Sequence, residues 1–220
     1  MTKMDALRSI TFTSGAIHEL SEAYDVVKIR GSVSFHHEAN LKRISTHGHS
    51  VFHSNVITEL LQNSGSCTVK GNCTASKAEN TGNLKLSSAE INHLSSAGKL
   101  SISDSLKADK LDAIGMLQGK KFHVKQFSLR LASESHISRL ITEEARVEKD
   151  RKSLSLFKKR LICHYIKGEN IKLTCTEADI VEGDFVEIGD NCDIKKLYYT
   201  KGCTISPNAN VHQLTRRDLV

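Results

Sequence analysis

The apolar residues of this chain fall into rows of nearly constant length, and each row begins at a glycine between residues 15 and 115. Within a row they lie two positions apart, which is the alternation of a β-strand with one face turned inward. The apolar residues two positions after the glycine are Val33, Cys67, Leu84, Leu100 and Leu117. Those four positions after it are Phe35, Phe52, Val69, Leu86 and Ile102.

Three further columns lie eight, ten and thirteen positions after the glycine. In successive rows they hold Ala39, Leu41 and Ile44, then Val56, Thr58 and Leu61, then Cys73, Ala75 and Ala78, and later Leu106, Ala108 and Leu111. In the row from Gly82, Ala89, Ile91 and Leu94 each come one place early, as a corner shortened by one residue requires. The corner glycines of this repeat are Gly15, Gly31, Gly48, Gly65, Gly82, Gly98 and Gly115.

Each row therefore holds about three short strands joined by tight corners, and rows of ~17 residues would stack as rungs in parallel register about 4.8 Å apart. The repeat predicts an all-β fold, a parallel β-helix or β-solenoid. We expect glycine at one corner because the backbone turns there with a positive φ. An α-solenoid is disfavoured, since β-branched residues are plentiful and helix-period runs are scarce.

The pattern continues beyond Gly115 in two blocks. Residues 1–145 are predicted to form the N-terminal rungs, 146–160 a basic loop or excursion, and 161–220 the C-terminal rungs of one continuous solenoid. Cys175 and Cys192 are separated by the length of one rung, so we expect them to lie over each other with both thiols inside as small apolar groups.

The positive charge is concentrated in the basic segment. The whole chain carries a formal charge of +6, and residues 146–160 alone carry +5, so the remainder is nearly neutral. One interpretation is a solvated loop. The other is contact with an acidic membrane surface or partner, because apolar residues accompany the cations. The candidate contact residues are Arg151, Lys152, Phe157, Lys158, Lys159 and Arg160.

The composition narrows the class of protein. The chain is 39% hydrophobic and 25% charged, has no run long enough to span a membrane and lacks the start of a signal peptide, so we expect a folded cytoplasmic protein. The six cysteines form no CxxC pair and are expected to be reduced. Few aromatic residues and no base-stacking cluster argue against nucleic-acid binding.

No catalytic motif stands out. The eleven histidines include His36, His37, His47, His49 and His53, but their spacing scatters them over corners and alternating faces without a ligand set. We expect no metal, no cofactor and no enzymatic activity. The alternatives are a left-handed β-helix acyltransferase, whose longer and more regular rungs fit the observed period poorly, and a surface-binding module.

Three segments resemble the bactofilins, the polymer-forming cytoskeletal proteins of bacteria. They are AYDVVKIRGSVSF at 23–35, GSCTVKGNCTASKAE at 65–79 and EADIVEGDFVEIGDNCDIKKLYY at 177–199. The resemblance implies a right-handed β-helix that stacks end to end into non-polar filaments without nucleotide and organises cell shape, motility or envelope machinery, with related bactofilins as possible partners. The second glycine of the family's rung survives only as Gly71, and the termini are short.

The ends of the coil are the predicted site of function. A parallel coil leaves unpaired backbone groups at its first and last rungs, and this sequence shows no obvious cap. We therefore expect homopolymers or homo-oligomers formed through the ends, although the same residues could be ordinary core. The candidate interface residues are Ile10, Phe12, Tyr198, Tyr199, Ile205, Val211 and Leu214.

Overall fold

A computed structural model describes residues 7–20, 23–150 and 158–217. They form a β-solenoid of 13 parallel strands, about 12 turns and roughly 17 residues per rung, which confirms the predicted fold. The strands are β1 (Ser9–Ile17), β2 (Val26–Phe35), β3 (Ala39–Thr46), β4 (His49–Phe52), β5 (Val56–Asn63), β6 (Ser66–Asn80), β7 (Asn83–Ser96), β8 (Lys99–Leu131), β9 (Ser135–Lys149), β10 (Leu161–Leu173), β11 (Thr176–Ile188), β12 (Asp193–Ile205) and β13 (Asn210–Arg216).

Each rung has three sides, named here from one turn of the coil. The first side contains residues 32–35, the second side 39–41 and the third side 43–46. Strands pair with the strand one rung earlier, so that Ala39 faces Val56 and Val56 faces Cys73. Several strands run through corners without a break, which is why β8 alone is 33 residues long.

The predicted apolar columns form the core. Every residue named above for these columns is buried in the structure, including Thr58 and the three that come one place early after Gly82. The early arrival has the predicted cause. Val69 pairs with Leu86, whereas Asn72, three positions after Val69, pairs with Ser88, only two positions after Leu86. One residue is therefore missing from the intervening corner.

The corner glycines are required for a different reason from the one expected. All the glycines lie in the described ranges, and only Gly15 (121°) and Gly115 (117°) have a positive φ. At Gly65 a Cβ atom would lie 2.1 Å from the carbonyl oxygen of Gly48, one rung earlier. Close stacking of backbone on backbone, and not an unusual φ, therefore excludes side chains from the five corners between Gly15 and Gly115.

A ladder of buried polar side chains runs beside the glycines at the end of the third side. Thr46 Oγ1 donates to Asn63 Oδ1 over 3.1 Å, Asn63 Nδ2 donates to Asn80 Oδ1 over 2.7 Å, and Asn80 Nδ2 donates to Ser96 Oγ over 2.8 Å. Asn80 also accepts from the backbone N–H of Gly82. The ladder satisfies polar groups at a corner that is closed to water and so fixes the register there.

The C-terminal rungs differ from the sequence prediction in two places. Glu177 pairs with Asp193, so Cys192 lies over Thr176 and the predicted stacking of Cys192 on Cys175 is wrong. Cys175 instead occupies a corner, where its φ is 50°. In addition, β9 continues to Lys149, so residues 146–149 of the predicted excursion belong to a strand.

Candidate functional site

Within residues 158–217, nothing covers the C-terminal end of the solenoid, where the core residues of the last rung are exposed. Leu214 is 49% exposed, whereas Leu197, its partner one rung earlier, is fully buried. Val211 and Ile205 are half-buried above the buried Ile194 and Ile188. Among the described strands β13 pairs with β12 alone, so within these residues its outer edge has unpaired backbone groups.

The N-terminal end has the same character. Ile10 and Phe12 on the third side and Ile17 on the first side are only half-buried, although they continue the columns of the buried Val27, Ile29 and Phe35. β1 pairs only with β2. Among the described residues, no element lies across either end, so both present an apolar plate rimmed by a free strand edge.

The same columns of inward-facing residues reach both ends of the solenoid. The two turns inside β8 are offset by 16 residues at the ion pair between Asp109 and Lys125. With this offset and the pairing of the other strands, the column that begins at Ile10 finishes at Cys203, and the column that begins at Phe12 finishes at Ile205. The first-side column that begins at Ile17 finishes at Val211. Each of these columns thus starts and stops with an apolar residue.

The two predicted interface tyrosines face opposite ways. Tyr199 points inward and packs against the core. Tyr198 lies on the lateral surface of the second side, where the guanidinium of Arg217 covers its ring at 3.8 Å from the centroid. Arg217 is also paired with Glu182 at 3.2 Å. Tyr198 is therefore part of a side-surface cluster beside the end, and Tyr199 is part of the terminal rungs.

Three imidazole rings stack at the corner between the first and second sides. The ring centroids of His18 and His36 are 4.8 Å apart and those of His36 and His53 are 4.5 Å apart, with the planes within 11° of parallel. Lys70 lies one rung after His53, and its Nζ atom is 3.3 Å from Nδ1 of His53. Loss of water around the ring, together with the positive charges of Lys70 and His36, lowers the pKa of His53 from its usual 6.5.

The stacked histidines belong to a longer column of outward-facing residues, called here the histidine column, which runs from the first to the last described rung. It consists of the residues that directly follow the first-side column from Ile17 to Val211, namely His18, His36, His53, Lys70, Ser87, Ser103, Lys120, Ser138, His164, Asp179, Lys195 and His212. Near its far end Asp179 is paired with His164 and with Lys195. His212 is paired with Asp193 at 2.8 Å.

The sequence prediction of scattered histidines missed this column. The signal was the spacing of His18, His36 and His53, which follow one another at close to the length of one rung. Parallel rings do not aim their lone pairs at a common point, and within the described ranges no group of three or more His, Cys, Asp or Glu residues could hold a metal ion. The column is therefore an electrostatic feature of the surface.

Much of the predicted basic segment is engaged where the structure describes it. Arg160 is bound between Glu134 at 2.7 Å and Glu177 at 2.8 Å, and Arg146 is paired with Glu148. Lys159 donates to the backbone carbonyl of Asp150. Of the candidate contact residues, Arg151, Lys152 and Phe157 lie outside the described residues, and Lys158, Lys159 and Arg160 lie within them. The membrane contact stays a prediction.

A groove lies on the second side of the solenoid. Its volume is about 310 Å³, and its walls include Glu90, Lys107, Asp109 and Lys125. These charges neutralise each other along the rungs, because Glu90 pairs with Lys107 at 2.7 Å and Asp109 with Lys125 at 2.8 Å. The charged side chains in the walls of this groove are therefore paired with one another.

Searches against models of known protein families, curated proteins and solved structures found no match to this chain. In the part of the chain that the structure describes, no helix has the length and apolar character needed to cross a membrane. The fold and the two apolar end plates are therefore the features that indicate a function.

Proposed function

We propose that this protein is a non-enzymatic structural scaffold that assembles end to end without nucleotide, two properties that its resemblance to bactofilins implies. The observation that carries the proposal is the pair of apolar end plates. The buried apolar columns end at Leu214, Val211 and Ile205, whose side chains are partly exposed to water. The adjacent strand edge can pair with a further strand.

A second copy is the partner that fits these ends. Solenoids that remain monomeric cover their ends with polar capping elements, and their repeats otherwise bury a continuous core by stacking. Here an added rung would extend the apolar columns that finish at Cys203, Ile205 and Val211 and would pair with the free edge of the last rung. A β-solenoid of about 12 turns is also consistent with a structural scaffold. Its role in cell shape, motility or envelope organisation is part of the same proposal.

The test is assembly of the purified chain in nucleotide-free buffer, followed by sedimentation velocity and negative-stain microscopy. We expect filaments or stacked oligomers at about pH 8, where histidines are neutral. Leu214→Lys should abolish them, because it places a charge in the plate. Ile57→Lys is the matched control, since Ile57 is 40% exposed but lies on the second side, away from the ends. A wild-type chain that stays monomeric at high concentration would refute the proposal.

A further inference from the structure

We infer that copies join head to tail, that His212 of one copy stacks on His18 of the next, and that protonation of this histidine contact weakens the joint. The inference rests on the end-to-end assembly proposed above. It adds the polarity of the assembly and a pH dependence that end-to-end stacking alone does not require.

The phase of the coil favours a head-to-tail joint. Among the described residues, the first strand segment, 9–12, lies on the third side and the last, 213–216, lies on the second side, so the described coil consists of whole turns. The last third-side strand segment, 202–205, is therefore the position on which residues 9–12 of the next copy would pair in parallel. The joint continues the ladder without a step or a change of strand direction.

The side-chain columns match across the same joint. Ile10 of the next copy would lie over Cys203, Phe12 over Ile205 and Ile17 over Val211, since each pair belongs to one column. Contact between two like ends would reverse the strand direction and break these columns. It would produce the non-polar filament implied by the resemblance to bactofilins, so the polarity experiment below also tests that expectation.

The histidine column is also continuous across the joint, from one copy to the next. His212 and His18 are its last and first members, and successive rungs lie about 4.8 Å apart. Stacking therefore places the two rings at the separation seen within the column, where neighbouring centroids lie 4.5–4.8 Å apart. The result is a run of four imidazoles, from His212 through His18 and His36 to His53.

The charges around this run set the sign of the pH effect. Lys70 adjoins His53 at one end of the run, Glu19 follows His18, and His212 faces Asp193. Farther along, Lys195 and Asp179 neutralise each other. Four protonated rings beside Lys70 would exceed the nearby negative charge, so like charges would repel at short range.

Separated ends therefore bind protons more readily than joined ends. By linkage, a group whose pKa is lower in the joint contributes full stability above its free value and loses it as the pH falls below that value. For histidine the free value is about 6.5. The joint should be strongest near pH 8 and weaken as the pH falls through 6.5.

The pH arm measures self-association by sedimentation velocity at about pH 8 and about pH 5.5, on either side of the histidine range. We expect weaker association at the lower pH, because a lowering of the pKa by one unit in the joint weakens association roughly 5-fold at about pH 5.5 for each histidine affected. The double variant His18→Phe with His212→Phe keeps stacking rings without titration and should remain assembled at both values. His93→Phe, an exposed histidine on the third side, is the control and should keep the pH dependence.

Circular dichroism at both pH values verifies that the separated chains remain folded. An equal loss of association in the double variant and the wild type would overturn the histidine contact. So would assembly that does not change with pH. Absence of assembly at pH 8 would instead refute the proposed function, so the two failures are distinguishable.

The polarity arm uses two end-blocked variants, Ile10→Lys and Leu214→Lys. In a head-to-tail joint each variant alone lacks one of the two required surfaces and stays monomeric, whereas an equimolar mixture forms heterodimers through the intact surfaces. Dimers formed by either variant alone would show that like ends join, and would overturn the inference.

Discussion

Asn63 donates a 2.7 Å hydrogen bond from its side-chain amide to Asn80, one rung away, and both side chains are buried. Each amide also bonds a backbone carbonyl, that of Asn83 for Asn63 and that of Lys99 for Asn80. The pair therefore ties side chains of successive rungs to the corner backbone and fixes the register of the N-terminal half.

Replacing Asn80 by alanine should destabilise the fold. The substitution removes one hydrogen-bond partner of the Asn63 amide, the donor to the Ser96 hydroxyl and the side-chain acceptor of the Gly82 N–H, all at a buried corner, and an unsatisfied buried polar group costs about 1–3 kcal/mol. We expect a loss of ~2–4 kcal/mol in the free energy of unfolding, measured in urea. Asn92→Ala, at an exposed asparagine in the next rung, should change it by less than about 0.5 kcal/mol. Equal effects of the two variants would show that the ladder does not stabilise the fold.

A methyl group at a stacked corner should be poorly tolerated. Gly65→Ala places Cβ 2.1 Å from the carbonyl oxygen of Gly48, so the rungs must separate locally. Overpacking of this kind typically costs about 1–3 kcal/mol. At Gly202 the nearest atom to an added Cβ is a ring carbon of the exposed Phe185 at 3.2 Å, which has room to move. Thermal unfolding should therefore give a lower midpoint for Gly65→Ala than for Gly202→Ala, and the reverse order would contradict the stacked-corner explanation.

Thiol labelling should separate the six cysteines into two groups. Burial raises the pKa of Cys67 and Cys192 to about 11 and that of Cys73 and Cys163 to about 12, so these four thiols should not react in the native protein near neutral pH. Cys175 and Cys203 are only half-buried and should react slowly.

Assembly should then protect Cys203 alone. This residue ends the column that the next copy would cover, whereas Cys175 lies at a lateral corner and serves as the internal control. Peptide mapping of labelled protein before and after assembly measures both thiols at once. Unchanged labelling of Cys203 in assembled material would place the contact elsewhere than at the end plates.

The pair between Glu134 and Arg160 should contribute to acid sensitivity. The Arg160 guanidinium, followed by His136, lowers the pKa of Glu134, so its contribution is present above the ordinary glutamate value of 4.5 and is lost as the pH falls below it. Both side chains are about a third exposed, which limits the contribution to roughly 1 kcal/mol or less.

Glu134→Gln should therefore lower stability at neutral pH and reduce its decline between about pH 5 and pH 3, as linkage requires. Glu59→Gln, at an exposed position on the second side, is the control and should leave the acid decline unchanged. Denaturant titrations across this range measure the effect. A decline in Glu134→Gln as steep as in the wild type would mean that the pair does not contribute.

The sequence by itself determined the coil and its register over the first half of the chain. Strand alternation and a recurring corner are local properties, so columns such as Phe35, Phe52 and Val69 are visible without a structure, and so is the missing residue after Gly82. The end plates were also predictable, since they are the first and last members of these columns.

Only the tertiary structure decided which positions meet across rungs where the period changes. Leu161 pairs with Thr176 at a shorter offset than the one that joins Gln118 to His136, so positions counted by a fixed period drift out of column. For this reason Cys192 does not lie over Cys175, and the shared column of His18 and His212 could not be read from spacing. The close carbonyl contacts at the corner glycines likewise depend on how one rung settles on another, which is a long-range property of the packed coil.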